Sequence, residues 1–160
     1  MGSGKTYWGK LWAQQSNLDF FDLDEMIEDQ ENKTIASIFD TYGEAYFREK
    51  ESEALKAFQN INNCIVACGG GTVCFNDNIN WMNKNGITVY LIATASTIFN
   101  RVLPEQGKRP LIKNLSNADL LIYIKQKLKE RESFYNQAKI ILPEDELNIN
   151  SIKQIINYQF

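Results

Sequence analysis

Histidine does not occur once in the 160 residues. Its absence removes every mechanism built on an imidazole base, and with it the commonest protein ligand of zinc. Chemistry is left to carboxylates, lysine, arginine and metal. Cysteine is scarce: Cys64, Cys68 and Cys74 are an odd number, which fits small buried or loop residues rather than a disulfide framework. Long apolar runs are missing as well, since no stretch approaches the roughly 20 residues that span a bilayer, and the first residues are glycine-rich and polar rather than a signal peptide. A cytoplasmic protein is expected. Nor is there an excess of positive charge: the net charge of -3 and pI near 5.1 give no pull toward nucleic acid or an anionic membrane, so a phosphate site must be local.

What is present is 44% hydrophobic residues, enough for one core and too few residues for two comfortable domains, so a single domain over 1–160 is expected. Trp8, Leu11 and Trp12 recur at helical spacing within 6–15, and the apolar run 18–21 is fit for a buried strand ending at Asp22. Helical stretches follow at 24–30, at 34–42 with Thr34 as N-cap, and at 44–60. Runs 64–68 and 87–93 read as central parallel strands, 95–103 and 118–137 as helices, 140–142 as a last strand and 152–158 as a closing helix. Between the later helices, "LPEQGKRPLIKN" (103–114) reads as a loop. Strands alternating with helices at this spacing predict an α/β domain whose helices cover a parallel sheet. Four strands are expected.

Several short stretches carry chemistry. "MGSGKT" (1–6) holds the last part of G-x-x-x-x-G-K-[ST], whose first glycine would fall one residue before Met1. Gly2, Ser3 and Gly4 would let backbone N–H groups turn around phosphate oxygens, Lys5 would neutralise the outer phosphates, and the Thr6 hydroxyl would hold Mg²⁺. The bland alternative is a flexible terminus. Asp22 and Asp24 sit at the carboxyl end of a strand, where open parallel sheets bind ligands, although they also suit a helix N-terminus. Gly69-Gly70-Gly71 directly follows an apolar strand and implies close approach of backbone to something. Arg48 and Glu51 share one helix face, and Arg131 and Tyr135 another, where an exposed ion pair or a solvated arginine is the usual meaning. Arg109, in "KRP" (108–110), lies where a lid could close over phosphate.

Taken in order, "MGSGKT", "DLD" (22–24), "FREKE" (47–51), "ACGGGTV" (67–73), "KRPLI" (108–112) and "RESFY" (131–135) resemble shikimate kinase, a small P-loop kinase of aromatic amino-acid biosynthesis. The resemblance runs from Met1 to about residue 142. It implies a P-loop kinase-like three-layer α/β/α fold on a five-stranded parallel sheet in the order 2-3-1-4-5, with the first strand falling ahead of Met1. Two strand edges would then lie unpaired inside the core. The implied reaction passes the γ-phosphoryl of ATP to the 3-hydroxyl of shikimate with Mg²⁺, on the way to chorismate. By the same resemblance Lys5 contacts the β- and γ-phosphates, Thr6 and Asp22 hold the metal, and Asp24 binds the shikimate hydroxyls and takes the proton. Arg48 and Arg131 grip the substrate carboxylate. Gly69, Gly70 and Gly71 flank the substrate ring, Gly71 also near the γ-phosphate, and Arg109 reaches over the phosphates as the lid arginine. Substrate-binding helices at about 24–60, a lid at about 104–114 and a monomer are implied too. The residues leave two other readings open: a P-loop kinase of gluconate or a nucleoside monophosphate, or a catalytically silent nucleotide-binding module.

Overall fold

The computed structural model describes residues 2–109 and 111–157. Helix α1 (Lys5–Ser16) leads into β1 (Asp19–Asp22), and α2 (Leu23–Glu31) follows with Asp22 as its N-cap. Thr34 caps α3 (Ile35–Lys56), its hydroxyl accepting from the Ser37 amide. The expected helices at 34–42 and 44–60 are the two limbs of α3, whose helical backbone is interrupted at Gly43 with φ 79 and ψ 175, and the second limb passes into a 3-10 turn over Ala57–Asn60. After β2 (Cys64–Ala67) and the glycine turn come a 3-10 turn over Thr72–Cys74 and α4 (Asn78–Asn85), which periodicity did not reveal. Then follow β3 (Val89–Ile92), α5 (Ala95–Val102), α6 (Asn117–Tyr135), β4 (Ile140–Pro143) and α7 (Ser151–Ile156). Tyr158, at the end of the expected last helix, lies outside the described residues.

The segment expected as a polar loop at 103–114 is more ordered than its composition implies. Leu103–Lys108 forms a 3-10 turn, the Gln106 side-chain amide donates to the Ile112 and Leu115 carbonyls, and Ile112 is fully buried. One isoleucine among prolines, glycine and charge anchors the stretch.

The four strands of the described residues lie in parallel pairs, β1 with β2 and β3 with β4. Asp22, ending β1, meets Lys5 and Thr6, while Ile98 and Val102 of α5, just after β3, crowd Gly2. The carboxyl ends of both pairs therefore converge on residues 2–6. Between the pairs runs a cavity of about 580 Å³ whose walls include β2 and β3. Neither strand has a ladder partner on that side among the described residues.

Hydrophobic residues gather in separate clusters around this slot. One joins Leu23, Ile27, Ile38, Phe47, Leu55 and Phe58; a second joins Trp12, Leu91, Leu142, Ile152 and Ile155; a third joins Ile98, Val102, Ile112, Leu120 and Ile124.

Candidate active site

The loop ahead of α1 is shaped by its glycines. Gly2 and Gly4 have φ of 66 and 89, a left-handed conformation that side chains resist. Gly4 is the N-cap and offers no side chain to the first-turn amides, and that turn holds no acidic residue. The helix start is thus open to an anion. Thr6 Oγ1 donates to Asp22 Oδ2 at 2.8 Å, and Lys5 Nζ lies 3.7 Å from the same oxygen. Sixteen residues of sequence separate the hydroxyl and carboxylate that the structure brings together.

Asp22 faces the loop because it ends β1, and its other oxygen accepts from the Asp24 amide at 3.1 Å. Asp24 lies in the first turn of α2 and points toward the glycine turn, where an added Cβ on Gly69 would stand 3.7 Å from Asp24 Oδ1. Burial raises the Asp24 carboxyl above the usual range; Lys5 opposes the rise, Asp22 adds to it and Arg109 opposes it. Charges from the loop, the strand end and residue 109 therefore act on this carboxyl.

Arg48 and Glu51 are not the exposed pair that surface helices usually carry. They are 7% and 0% exposed, with Arg48 Nη1 donating to Glu51 Oε2 at 2.8 Å and Nη2 to Glu44 Oε1 at 2.9 Å. Burial works against the Arg48 charge, and Glu51 with Glu44 more than offsets it, so its pKa is held up. Burial likewise raises the Glu51 carboxyl against the pull of Arg48 and of Thr72, whose hydroxyl donates to Glu51 Oε1 at 2.5 Å. Asn78 extends the network, donating to the Thr72 carbonyl and accepting from Ser52. Buried charges with this many partners hold one geometry.

The glycine turn is glycine because of this pair. A Cβ at residue 71 would lie 2.7 Å from Arg48 Nη2, and one at residue 69 would lie 2.9 Å from Glu51 Oε1. Neither glycine has a positive φ, so close approach and not backbone twist is what excludes side chains. At Gly70 the carbonyl accepts from Tyr135 Oη at 2.7 Å. Tyr135 stacks on Tyr90, and burial raises its hydroxyl pKa against the opposing effect of Arg131. Burial pushes the Cys74 thiol pKa up, and Arg131 and Arg48 both oppose the rise, so the two guanidiniums lie near one small residue.

Arg109 pairs loosely with Glu105 at 3.5 Å, and its Nε is buried with no hydrogen-bond partner among the described residues. Among residues that sequence reasoning missed, Arg101 stands beside the loop, donating to the Gly2 carbonyl at 3.4 Å and pairing with Glu144. Thr72 and Asn78 were missed too. Thr72 directly follows the glycine run, but nothing in "FNDNIN" (75–80) sets Asn78 apart from its polar neighbours.

The shikimate kinase family model matches residues 1–159. The chain belongs to the shikimate kinase family. The shikimate kinase of Bacteroides thetaiotaomicron is 39% identical over 92% of this chain and 84% of its own length. That of Phocaeicola vulgatus is 40% identical with the same coverage. Among solved structures, the B. thetaiotaomicron shikimate kinase superposes with a TM-score of 0.88 at 38% identity, over 98% of this chain and 91% of that one. Shikimate kinase from Acinetobacter baumannii, solved in complex with shikimate, superposes with a TM-score of 0.86 at 28% identity, over 98% and 86%. The expected α/β P-loop kinase fold is therefore this family's fold, and members of the family are ATP-dependent kinases.

Proposed function

We propose that this protein phosphorylates the 3-hydroxyl of shikimate with the γ-phosphoryl of ATP, giving shikimate 3-phosphate and ADP. The observation that carries the reading is the position of Asp24, a half-buried carboxyl acted on by Lys5 of the loop, Asp22 of the strand end and Arg109 of the lid, beside the turn that abuts Arg48. A hydroxyl bound between that carboxyl and the loop stands in line with a γ-phosphoryl, and phosphoryl transfer depends on such placement and on charge neutralisation.

In this reading the first-turn amides of α1, the loop backbone of Gly2, Ser3 and Gly4, and Lys5 bind the phosphates. Arg109 reaches over them, and its unpartnered Nε fits an anionic acceptor. Asp24 accepts the proton of the attacking hydroxyl, and its raised pKa brings it nearer neutral pH, where a general base works best. Arg48 and Arg131 take the substrate carboxylate, for which a planar guanidinium suits two parallel hydrogen bonds. Gly69, Gly70 and Gly71 hold the substrate ring close to the backbone.

Thr6 and Asp22 fit Mg²⁺, being hard oxygen donors 2.8 Å apart, and Mg²⁺ keeps most of its shell as water and phosphate oxygens. When bound, the ion would neutralise charge on the transferring phosphoryl. We read residues 1–160 as one domain, with the substrate helices at 24–60 and the lid at 104–114. It acts as a cytoplasmic monomer without nucleic-acid or membrane partners. No helix among the described residues is long and apolar enough to cross a membrane.

The test is ADP release from Mg²⁺-ATP with shikimate, gluconate or a nucleoside monophosphate as acceptor. It is run on the 160-residue chain and on one extended ahead of Met1 by a strand-forming segment. Release that depends on shikimate in either form is the expected result. Activity on gluconate or a nucleotide with none on shikimate would overturn the substrate, and no transfer in either form would leave a silent nucleotide-binding module.

A further inference from the structure

The glycine turn is held by a side chain to which the phosphoryl chemistry gives no task. Gly69-Gly70-Gly71 follows β2, and its middle carbonyl accepts a hydrogen bond from Tyr135 Oη at 2.7 Å, across 65 residues of sequence. Tyr135 ends α6, the helix between β3 and β4. The bond therefore ties the turn to the half of the molecule that carries Arg131.

The tyrosine is itself fixed. Its ring stacks on that of Tyr90 in β3, with centroids 4.7 Å apart and planes 25° from parallel, which leaves the hydroxyl little room to swing. Burial raises the pKa of that hydroxyl above its ordinary value near 10, even though Arg131, one turn earlier on the same helix, opposes the rise. The group is thus a donor throughout the neutral range.

What the bond decides is the direction of an amide. The peptide between Gly70 and Gly71 is trans, and in that plane the C=O and the N–H point opposite ways. With the Gly70 carbonyl turned to α6, the Gly71 N–H is turned from it. No backbone carbonyl among the described residues takes this N–H, whereas the Thr72 and Cys74 amides close by donate to Gly69 and Gly71. Two adjacent glycines give such a plane many other orientations, because neither carries a Cβ to resist its rotation. The hydroxyl selects one of them.

We infer that Tyr135 is a positioning residue, whose hydroxyl clamps the Gly70–Gly71 peptide so that the Gly71 N–H faces the phosphoryl acceptor and the turn keeps its place relative to Arg131. The inference rests on the proposed substrate reading for what that N–H meets. The clamp itself stands apart from it.

Tyr135→Phe keeps the ring and its stack and removes only the hydroxyl, while Tyr123→Phe makes the same deletion elsewhere on α6. In Tyr135→Phe the KM for shikimate should rise about tenfold, as for loss of one hydrogen bond, with the KM for ATP and the melting temperature close to the parent's. Tyr123→Phe should match the parent in all three. In the ¹⁵N-labelled 160-residue chain without ligands, the Gly71 amide resonance should move in Tyr135→Phe and stay in place in Tyr123→Phe.

An unmoved Gly71 resonance in Tyr135→Phe would overturn the clamp, whatever the acceptor proves to be. A lowered melting temperature with both KM values unchanged would make Tyr135 a packing residue and overturn it as well. Absence of shikimate-dependent ADP release from the parent is the separate failure of the substrate reading, and the resonance then decides the clamp alone.

Discussion

A methyl group at residue 71 would stand against the Arg48 guanidinium, whereas one at residue 107 would meet nothing within 4 Å. Gly71→Ala should therefore displace Arg48 at a cost of about 1–3 kcal/mol, the range for forcing atoms into a packed site. Shikimate KM should rise by roughly tenfold or more, since each 1.4 kcal/mol is a factor of ten. Gly107→Ala is the matched control, with steady-state kinetics as the readout and no change expected. Asp24 invites a different experiment, because burial raises its pKa in the folded chain. Such a group contributes stability that is full below its unfolded value, near 3.9, and lost as pH rises through the folded value. Asp24→Asn should thus melt higher than the parent at neutral pH, with the difference closing near pH 3, while turnover falls by about 10²–10⁴-fold. Thermal melts across pH and a coupled kinase assay check the two halves of this expectation. A substitution that disables the site and strengthens the fold marks a charge kept for chemistry.

At the scale of elements, α3 holds the sharpest irregularity. Gly43 sits at φ 79 and ψ 175, a region that is essentially glycine-only, yet a Cβ there would touch nothing within 4 Å. Gly43→Ala should cost about 1–3 kcal/mol through the backbone alone, read from the urea midpoint with an unchanged slope. The break falls between the two helices that sequence periodicity gave, 34–42 and 44–60. Most other elements were legible because their apolar residues recur at a clear period and their ends carry caps such as Thr34 and Asp22. Helix α4 was not, for "NINWMNKN" is mostly polar and Asp77 ahead of it makes no side-chain cap. The site was legible in part: Thr6, Asp22, Asp24 and Arg48 stand in short motifs whose order carries their meaning. Arg101 gave no such sign, because its partners Gly2 and Glu144 lie 99 and 43 residues away. Burial of Arg48 and Glu51 was equally hidden, since helical spacing gives a shared face but not which way the face points.

For the molecule as a whole, the slot divides what is usually one contiguous core. Trp81 packs on the cluster around Leu23 and Phe58, and Trp12 belongs to the cluster around Leu91 and Ile152. The two halves should open with different free energies. Urea unfolding of Trp81→Phe, which keeps the Trp8 and Trp12 signals of one cluster, and of the double variant Trp8→Phe/Trp12→Phe, which keeps that of Trp81 alone, should give midpoints that do not coincide; coincident curves would mean one cooperative unit. The slot also separates charges. Asp22, Asp24 and Glu51 come from the half containing β1 and β2, and Arg101, Arg109 and Arg131 come from the half containing β3 and β4. The seam through the sheet is therefore also a seam between an anionic and a cationic bank, drawn together by attraction that dissolved ions weaken. Turnover should fall as ionic strength rises, more steeply than in a variant whose banks are tied by a covalent cross-link, so that salt acts on this protein as a spacer.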